Sequence, residues 1–135
     1  MVTCYLGIGS NVGDRIKNIK LAVSKIRRLE HTTVVKLSRI IETIPQGGPR
    51  GQQKFLNAVL KIRTNLAPLK LLKKLKSIES ELGRTTPAVR NGPRTLDLDI
   101  LFYADKFVMT KQLVIPHPRM FKRQFVLTPL MDIIK

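Results

Sequence analysis

From Phe55 to Arg63 the chain alternates in character residue by residue. Leu56, Ala58, Leu60 and Ile62 share one side of an extended strand, while Asn57, Lys61 and Arg63 share the other. Such a strand asks for a sheet packed by helices on one face, with the other face free for a ligand. The same demand recurs from Leu96 to Tyr103, where Leu96, Leu98 and Ile100 face one way and Asp97 and Asp99 the other.

The remaining segments supply the partners. Val2 to Ile8 reads as an inner strand running into the turn "GSNVGD". Ile16, Ile19, Ala22, Val23, Ile26 and Leu29 then recur at three and four, as in an amphipathic helix. Thr32 to Thr43 is rich in Val, Ile and Thr and reads as one strand, followed by the loop "IPQGGPRGQQ". Pro68 opens a second helix with the stripe Leu69, Leu72, Leu75, Ile78 and Leu82, and Gly83 stops it. A turn and a short helix from Phe125 to Ile133 close the chain. The order β-α-β-β-α-β predicts a ferredoxin-like α+β fold, a mainly antiparallel sheet with helices packed on it.

A chain of 135 residues is expected to form a single domain over 1–135. Its one cysteine, Cys4, lies in an apolar run and reads as a buried thiol in a reducing compartment. No stretch approaches a membrane span and the start lacks a signal pattern, so the expected location is cytoplasmic, with no membrane partner. The net charge of +16 favours anionic partners without choosing among them.

Asp97 and Asp99, as same-face neighbours about 6.5–7 Å apart, repel by about 2.4 kcal/mol at an effective dielectric of 20. A hard divalent cation such as Mg²⁺ between them relieves this, as would solvation or an arginine partner. Arg84, Arg90 and Arg94 precede the pair closely, the last two in a loop leading into it. Arginine forks bind phosphate oxygens, so metal and anion ligands converge on one segment, as phosphoryl or pyrophosphoryl transfer requires. The phosphate loop G-x-x-x-x-G-K-[ST] is absent.

The motifs "GSNVGDR", "FLNAV", "ELGR", "GPRTLDLDI" and "IPHPRM...R.FVLTPL" stand in this order over nearly the whole chain. In this the chain strongly resembles the 6-hydroxymethyl-7,8-dihydropterin pyrophosphokinases of folate biosynthesis. The resemblance implies transfer of the β,γ-pyrophosphate of ATP to the pterin hydroxymethyl group, releasing AMP, with two Mg²⁺ ions. It implies that Asp97 and Asp99 bind the metals and that Arg84 and Arg94 hold the phosphates, these four forming the catalytic set. His117, Arg123 and Arg90 would contact ATP. Phe55 and Phe125 match the positions that stack the pterin, and Asn57 and Thr43 those that read its edge. A neighbouring folate-pathway enzyme is a further expected partner.

The chain departs from the family pattern at Thr86, where a second arginine is common, and at Asn91, where an aromatic is. Thr43-Ile44-Pro45 replaces the usual T-P-P, and the sequence stops soon after "PLMDI". These departures motivate the alternative of a catalytically weak relative that binds pterin or nucleotide. A basic RNA-binding module is the other alternative. Two Tyr, five Phe and no Trp provide few stacking platforms, and two aspartates on the open face repel phosphate, so nucleic acid is not expected as a partner.

Overall fold

A computed structural model of the protein describes residues 1–44, 50–83, 95–118 and 124–134, with residues 124 and 125 described by backbone alone. In chain order the elements are β1 (Val2–Ser10), α1 (Arg15–Arg27), β2 (Thr32–Leu37), β3 (Ile41–Thr43), β4 (Phe55–Thr64), α2 (Pro68–Glu81), β5 (Asp97–Tyr103), β6 (Val108–Met109), β7 (Val114–Ile115) and α3 (Gln124–Ile133). β1 pairs antiparallel with β4 on one edge and with β5 on the other. Both β2 and β3 pair with the far edge of β4, giving the order β2-β4-β1-β5. This is the expected ferredoxin-like α+β topology.

The main core lies between the sheet and the two long helices. Leu6, Leu60, Ile62, Leu98, Ile19, Ile26, Leu71 and Leu75 are buried in it. Asp14 starts α1 by accepting the Lys17 N–H at 3.1 Å, and Lys25 and Arg27 in the last turn suit its negative end. Pro68 stands in the first turn of α2, and Gly83, at φ +101°, takes the left-handed conformation that ends it.

Two details of the helix stripes differ from expectation. Ile16 is 50% exposed, and in α2 it is Leu71 that is buried while Leu69 is 45% exposed. A helix turns about 100° per residue, so a stripe spaced mostly by three rotates about 60° per step and drifts off the core. Leu71, Leu75, Ile78 and Glu79 stay within one face.

The strand expected over Thr32–Thr43 is two strands. Ser38 separates them: its N–H donates to the Val59 carbonyl at 2.9 Å and its hydroxyl accepts the Val59 N–H at 2.8 Å. A side chain thus replaces one rung of the ladder and β2 ends. The β6–β7 hairpin is also a finding of the structure: β7 starts the segment read as a turn and a short helix, and β6 lies before it.

The second face of the sheet is not wholly free, as the sequence had suggested. α3 packs on part of it, where Val59, Leu101, Leu130 and Ile133 form a second buried cluster bordered by Tyr5, Phe102 and Val126. A register shift beside Tyr5 and Leu6 makes this possible, because Leu101 and Phe102 then both contribute to the α3 side. Tyr103 returns to the main core and donates its hydroxyl to the Leu66 carbonyl at 2.5 Å.

Cys4 is fully buried, and desolvation pushes its thiol up from the ordinary 9.0 to about 12, opposed by a hydrogen bond with the Ala104 backbone. In an Ellman assay at pH 8 this thiol should stay silent in the folded chain and react after unfolding. Because the unfolded thiol ionises first, folded-state stability should fall as pH rises from about 9 towards 12. Leu71→Ala should cost about 2–5 kcal/mol in urea unfolding, whereas Leu69→Ala should stay within about 0.5 kcal/mol.

Candidate functional site

Beside the area covered by α3, the residues of the second face stand in rows across three strands. Asn57, Gly9 and Asp97 are consecutive partners across β4, β1 and β5, and Val59, Gly7 and Asp99 form the next row, whose Val59 end lies under α3. Adjacent strands lie about 4.8 Å apart, so the Asn57 and Asp97 backbones stand about 10 Å from each other. The middle strand contributes glycines to both rows and raises no side chain between them. Neighbouring side chains fill the space the glycines leave: Asn57 and Phe55 lie over Gly9, which is buried, and Leu101 lies beside Gly7, with the carboxylates of Asp97 and Asp99 on the β5 side.

Asp97 and Asp99 are both partly exposed, while Leu98 between them is fully buried in the main core. His117 approaches from the segment after β7. Its backbone N–H donates to the Leu101 carbonyl at 3.1 Å, and its Nε2 lies 3.9 Å from Asp99 Oδ1. Sequence distance hides this meeting of an imidazole and a carboxylate.

On the other side, Asn57 is 8% exposed and donates from Nδ2 to Thr43 Oγ1 at 2.7 Å. A Cβ on Gly9 would stand 3.0 Å from Asn57 Oδ1 and 3.7 Å from Phe55 Cδ1. Gly9 is therefore what lets the amide and the ring lie against β1. Thr43, Phe55 and Asn57 are brought together, as are Asp97, Asp99 and His117. Phe125 is the second residue of α3. Arg84, Arg90, Arg94 and Arg123, together with Thr86 and Asn91, lie outside the described residues.

Several supporting residues escaped the sequence reading. In the turn after β1, the buried Asn11 donates from Nδ2 to Gln52 Oε1 at 3.0 Å and to the Gln53 carbonyl at 3.2 Å. Arg15 Nη1 donates to Glu42 Oε2 at 2.9 Å and to the Lys54 carbonyl at 2.8 Å, touching the immediate neighbours of Thr43 and Phe55. Glu79, in the buried face of α2, accepts the Leu98 N–H at 2.7 Å. Polar residues within the recognised motifs were the signal for Asn11 and Arg15. For Glu79 it was a carboxylate in register with Leu71 and Leu75.

The donor set suits one class of metal. Among the described residues no three His, Cys, Asp or Glu side chains form a metal-holding cluster, so a closed zinc-type site is not what this face offers. Two partly exposed carboxylates on one strand face match Mg²⁺, which binds one or two carboxylates and fills its remaining positions with water and substrate oxygens.

The family described as 7,8-dihydro-6-hydroxymethylpterin-pyrophosphokinase matches residues 5–135. The chain belongs to this family. It is 47% identical over 129 residues to the 2-amino-4-hydroxy-6-hydroxymethyldihydropteridine pyrophosphokinase of Bacillus subtilis, covering 96% of this chain and 76% of that one. The enzyme of the same name from Aquifex aeolicus is 45% identical over 133 residues, 98% of this chain and 81% of that one. In fold the chain is similar to the Plasmodium falciparum HPPK-DHPS crystal structure, with a TM-score of 0.73 at 15% identity, covering 99% of this chain. The chain spans 40% of the length of that structure.

The Arg15 contacts make a local test. Both groups of the Arg15–Glu42 pair are partly exposed, so Arg15→Met should cost no more than about 1 kcal/mol in global unfolding. Hydrogen exchange in β3 and at the start of β4 should nevertheless quicken, since one guanidinium bridges both.

Proposed function

We propose that this chain transfers the β,γ-pyrophosphate of ATP to the hydroxymethyl oxygen of 6-hydroxymethyl-7,8-dihydropterin, forming the pterin diphosphate and AMP in folate biosynthesis. Family membership carries the reaction class, and the Asn57–Gly9–Asp97 row is the observation that carries the assignment of this face. One side of the row has the hydrogen-bonding amide that a flat heterocycle needs, the other the carboxylates that a metal-bound polyphosphate needs.

In this reading Asn57 and Thr43 read the pterin edge, and Phe55 and Phe125 stack on its faces. The amide and hydroxyl already share a hydrogen bond of 2.7 Å, which orients both before any ligand arrives. Pre-orientation of this kind lowers the entropic cost of binding. The pterin hydroxymethyl group then points along the Asn57–Gly9–Asp97 row towards β5. Its oxygen forms a bond to the β-phosphorus as the bond from that phosphorus to the α,β-bridging oxygen breaks, AMP leaves with the bridging oxygen, and the hydroxyl proton is released to solvent.

Asp97 and Asp99 would hold two Mg²⁺ ions. When bound, such ions would supply charge neutralisation at the polyphosphate and a lowered pKa at the attacking hydroxyl. Arg84 and Arg94 hold the phosphate oxygens, and Arg90, Arg123 and His117 contact the nucleotide. These four arginine roles rest on the family resemblance, and that of His117 also on its place 3.9 Å from Asp99. The net charge of +16 favours encounter with the polyanionic nucleotide.

We also propose that residues 1–135 act as a single pyrophosphokinase domain in the cytoplasm, and that a neighbouring folate-pathway enzyme is a partner. The buried reduced Cys4 supports the location, and the joined HPPK-DHPS architecture of the structural relative supports the partner. Among the described residues no helix is long and apolar enough to cross a membrane.

Incubation with ATP, Mg²⁺ and the pterin should yield AMP, dependent on all three, as separated from ADP by chromatography. Nucleotide binding with no AMP would favour the catalytically weak reading instead, and ADP would overturn the pyrophosphoryl assignment. Asp97→Ala and Asp99→Ala should each lower kcat about 100-fold or more with the fold retained. Gly9→Ala should raise KM for the pterin more than KM for ATP, because the added methyl presses on Asn57 and Phe55.

A further inference from the structure

Glu79 is 1% exposed, on a helix face otherwise made of Leu71, Leu75 and Ile78. A carboxylate in such surroundings costs several kcal/mol unless its oxygens are satisfied. Oε1 lies 3.2 Å from Lys76 Nζ, and Oε2 accepts the Leu98 N–H at 2.7 Å. Leu98 is the residue between Asp97 and Asp99.

β5 is the edge strand of the sheet, paired only with β1 among the described strands. In an antiparallel pair the backbone groups of alternate residues point to the partner strand and those of the intervening residues point away. The Leu98 N–H points away from β1, where no strand offers it an acceptor. The α2 carboxylate takes that place, so the peptide between the two aspartates is held by β1 through its neighbours and by α2 through Glu79.

We propose that Glu79 is a positioning residue for the metal-binding pair: its hydrogen bond to Leu98 fixes the edge strand in the extended form that sets the spacing and aim of Asp97 and Asp99. This rests on the assignment of those aspartates as Mg²⁺ ligands. A leucine at position 79 would suit the apolar face but would orphan a backbone amide and leave the strand free to rotate between the two carboxylates.

The test titrates Mn²⁺, as a paramagnetic stand-in for Mg²⁺, into the whole chain saturated with a non-hydrolysable ATP analogue, alongside amide exchange at Leu98 by NMR. Glu79→Ala should raise the Mn²⁺ dissociation constant about 10-fold or more and speed Leu98 exchange. Glu79→Gln keeps an acceptor oxygen and should stay within about 3-fold of the parent. Glu79→Asp keeps the charge and is one methylene shorter, so it should also weaken Mn²⁺ binding, and it serves as the test if Glu79→Ala does not fold. Unchanged Mn²⁺ binding in folded Glu79→Ala or Glu79→Asp overturns the proposal, as does a Gln variant as impaired as Ala, which would assign the effect to charge. Asp97→Asn separates the two levels. If it leaves Mn²⁺ binding intact, the metal assignment itself fails; if it weakens binding while the Glu79 variants do not, only the positioning role falls.

Discussion

β1 is hydrogen-bonded along both edges, to β4 and to β5, and packed against the helices through Leu6 and Ile8. A strand held on three sides can neither twist away nor slip, because a shift of one residue would turn its core side chains outward. Its fourth side carries Gly7 and Gly9, where the registers to both neighbours converge. Everything on the second face depends on that double pairing. It aligns Asn57 with Asp97 across a strand that places no side chain between them, and the close approach of Asn57 Oδ1 to Gly9 shows how little room a larger residue would have.

The same face has two uses, divided along the strands. Towards Tyr5 and Phe102, whose rings meet edge to face at 6.3 Å, α3 seals the sheet with an apolar cluster. Towards Gly9 and Asp97 the face is polar, with Asn57 and Gly9 buried and Asp97 partly exposed. Asp99 and His117 stand near the boundary, since the His117 backbone is tied to Leu101, itself a member of the apolar cluster. Charged groups beside a low-dielectric wall act on a ligand more strongly than they would in bulk water. In the proposed site the covering helix would thereby serve the chemistry as well as the packing.

Much of this was legible in the chain. Alternation at two located β4 and β5, β-branched and apolar content located β1 and the β2–β3 segment, and recurrence near 3.6 located both long helices, since these patterns follow from backbone geometry and strand preference. They erred where a local hydrogen bond or a long-range contact competed. Ser38 interrupts a stretch whose Val and Thr content reads as continuous strand, and Leu71 takes the core place expected of Leu69. α3 was found as a helix but not as the cover of the second face, since nothing in its own pattern says which surface receives Leu130 and Ile133.

The sequence by itself determined the inventory: the order of the main strand segments and helices, the aspartate pair on one strand face, the Asn57 face of β4, and the motifs that mark the family. Those are local properties, readable from spacing and residue type. Only the tertiary structure decided the juxtapositions, because they join residues far apart in the chain. Gly9 meets Asn57 and Asp97 through registers set by hydrogen bonding along whole strands. His117 reaches Asp99 through its tie to Leu101, and Glu79 reaches the peptide between the aspartates because α2 packs against β5. A buried carboxylate in a leucine stripe looks like a flaw in the sequence; in the fold it is the acceptor that an edge strand lacks.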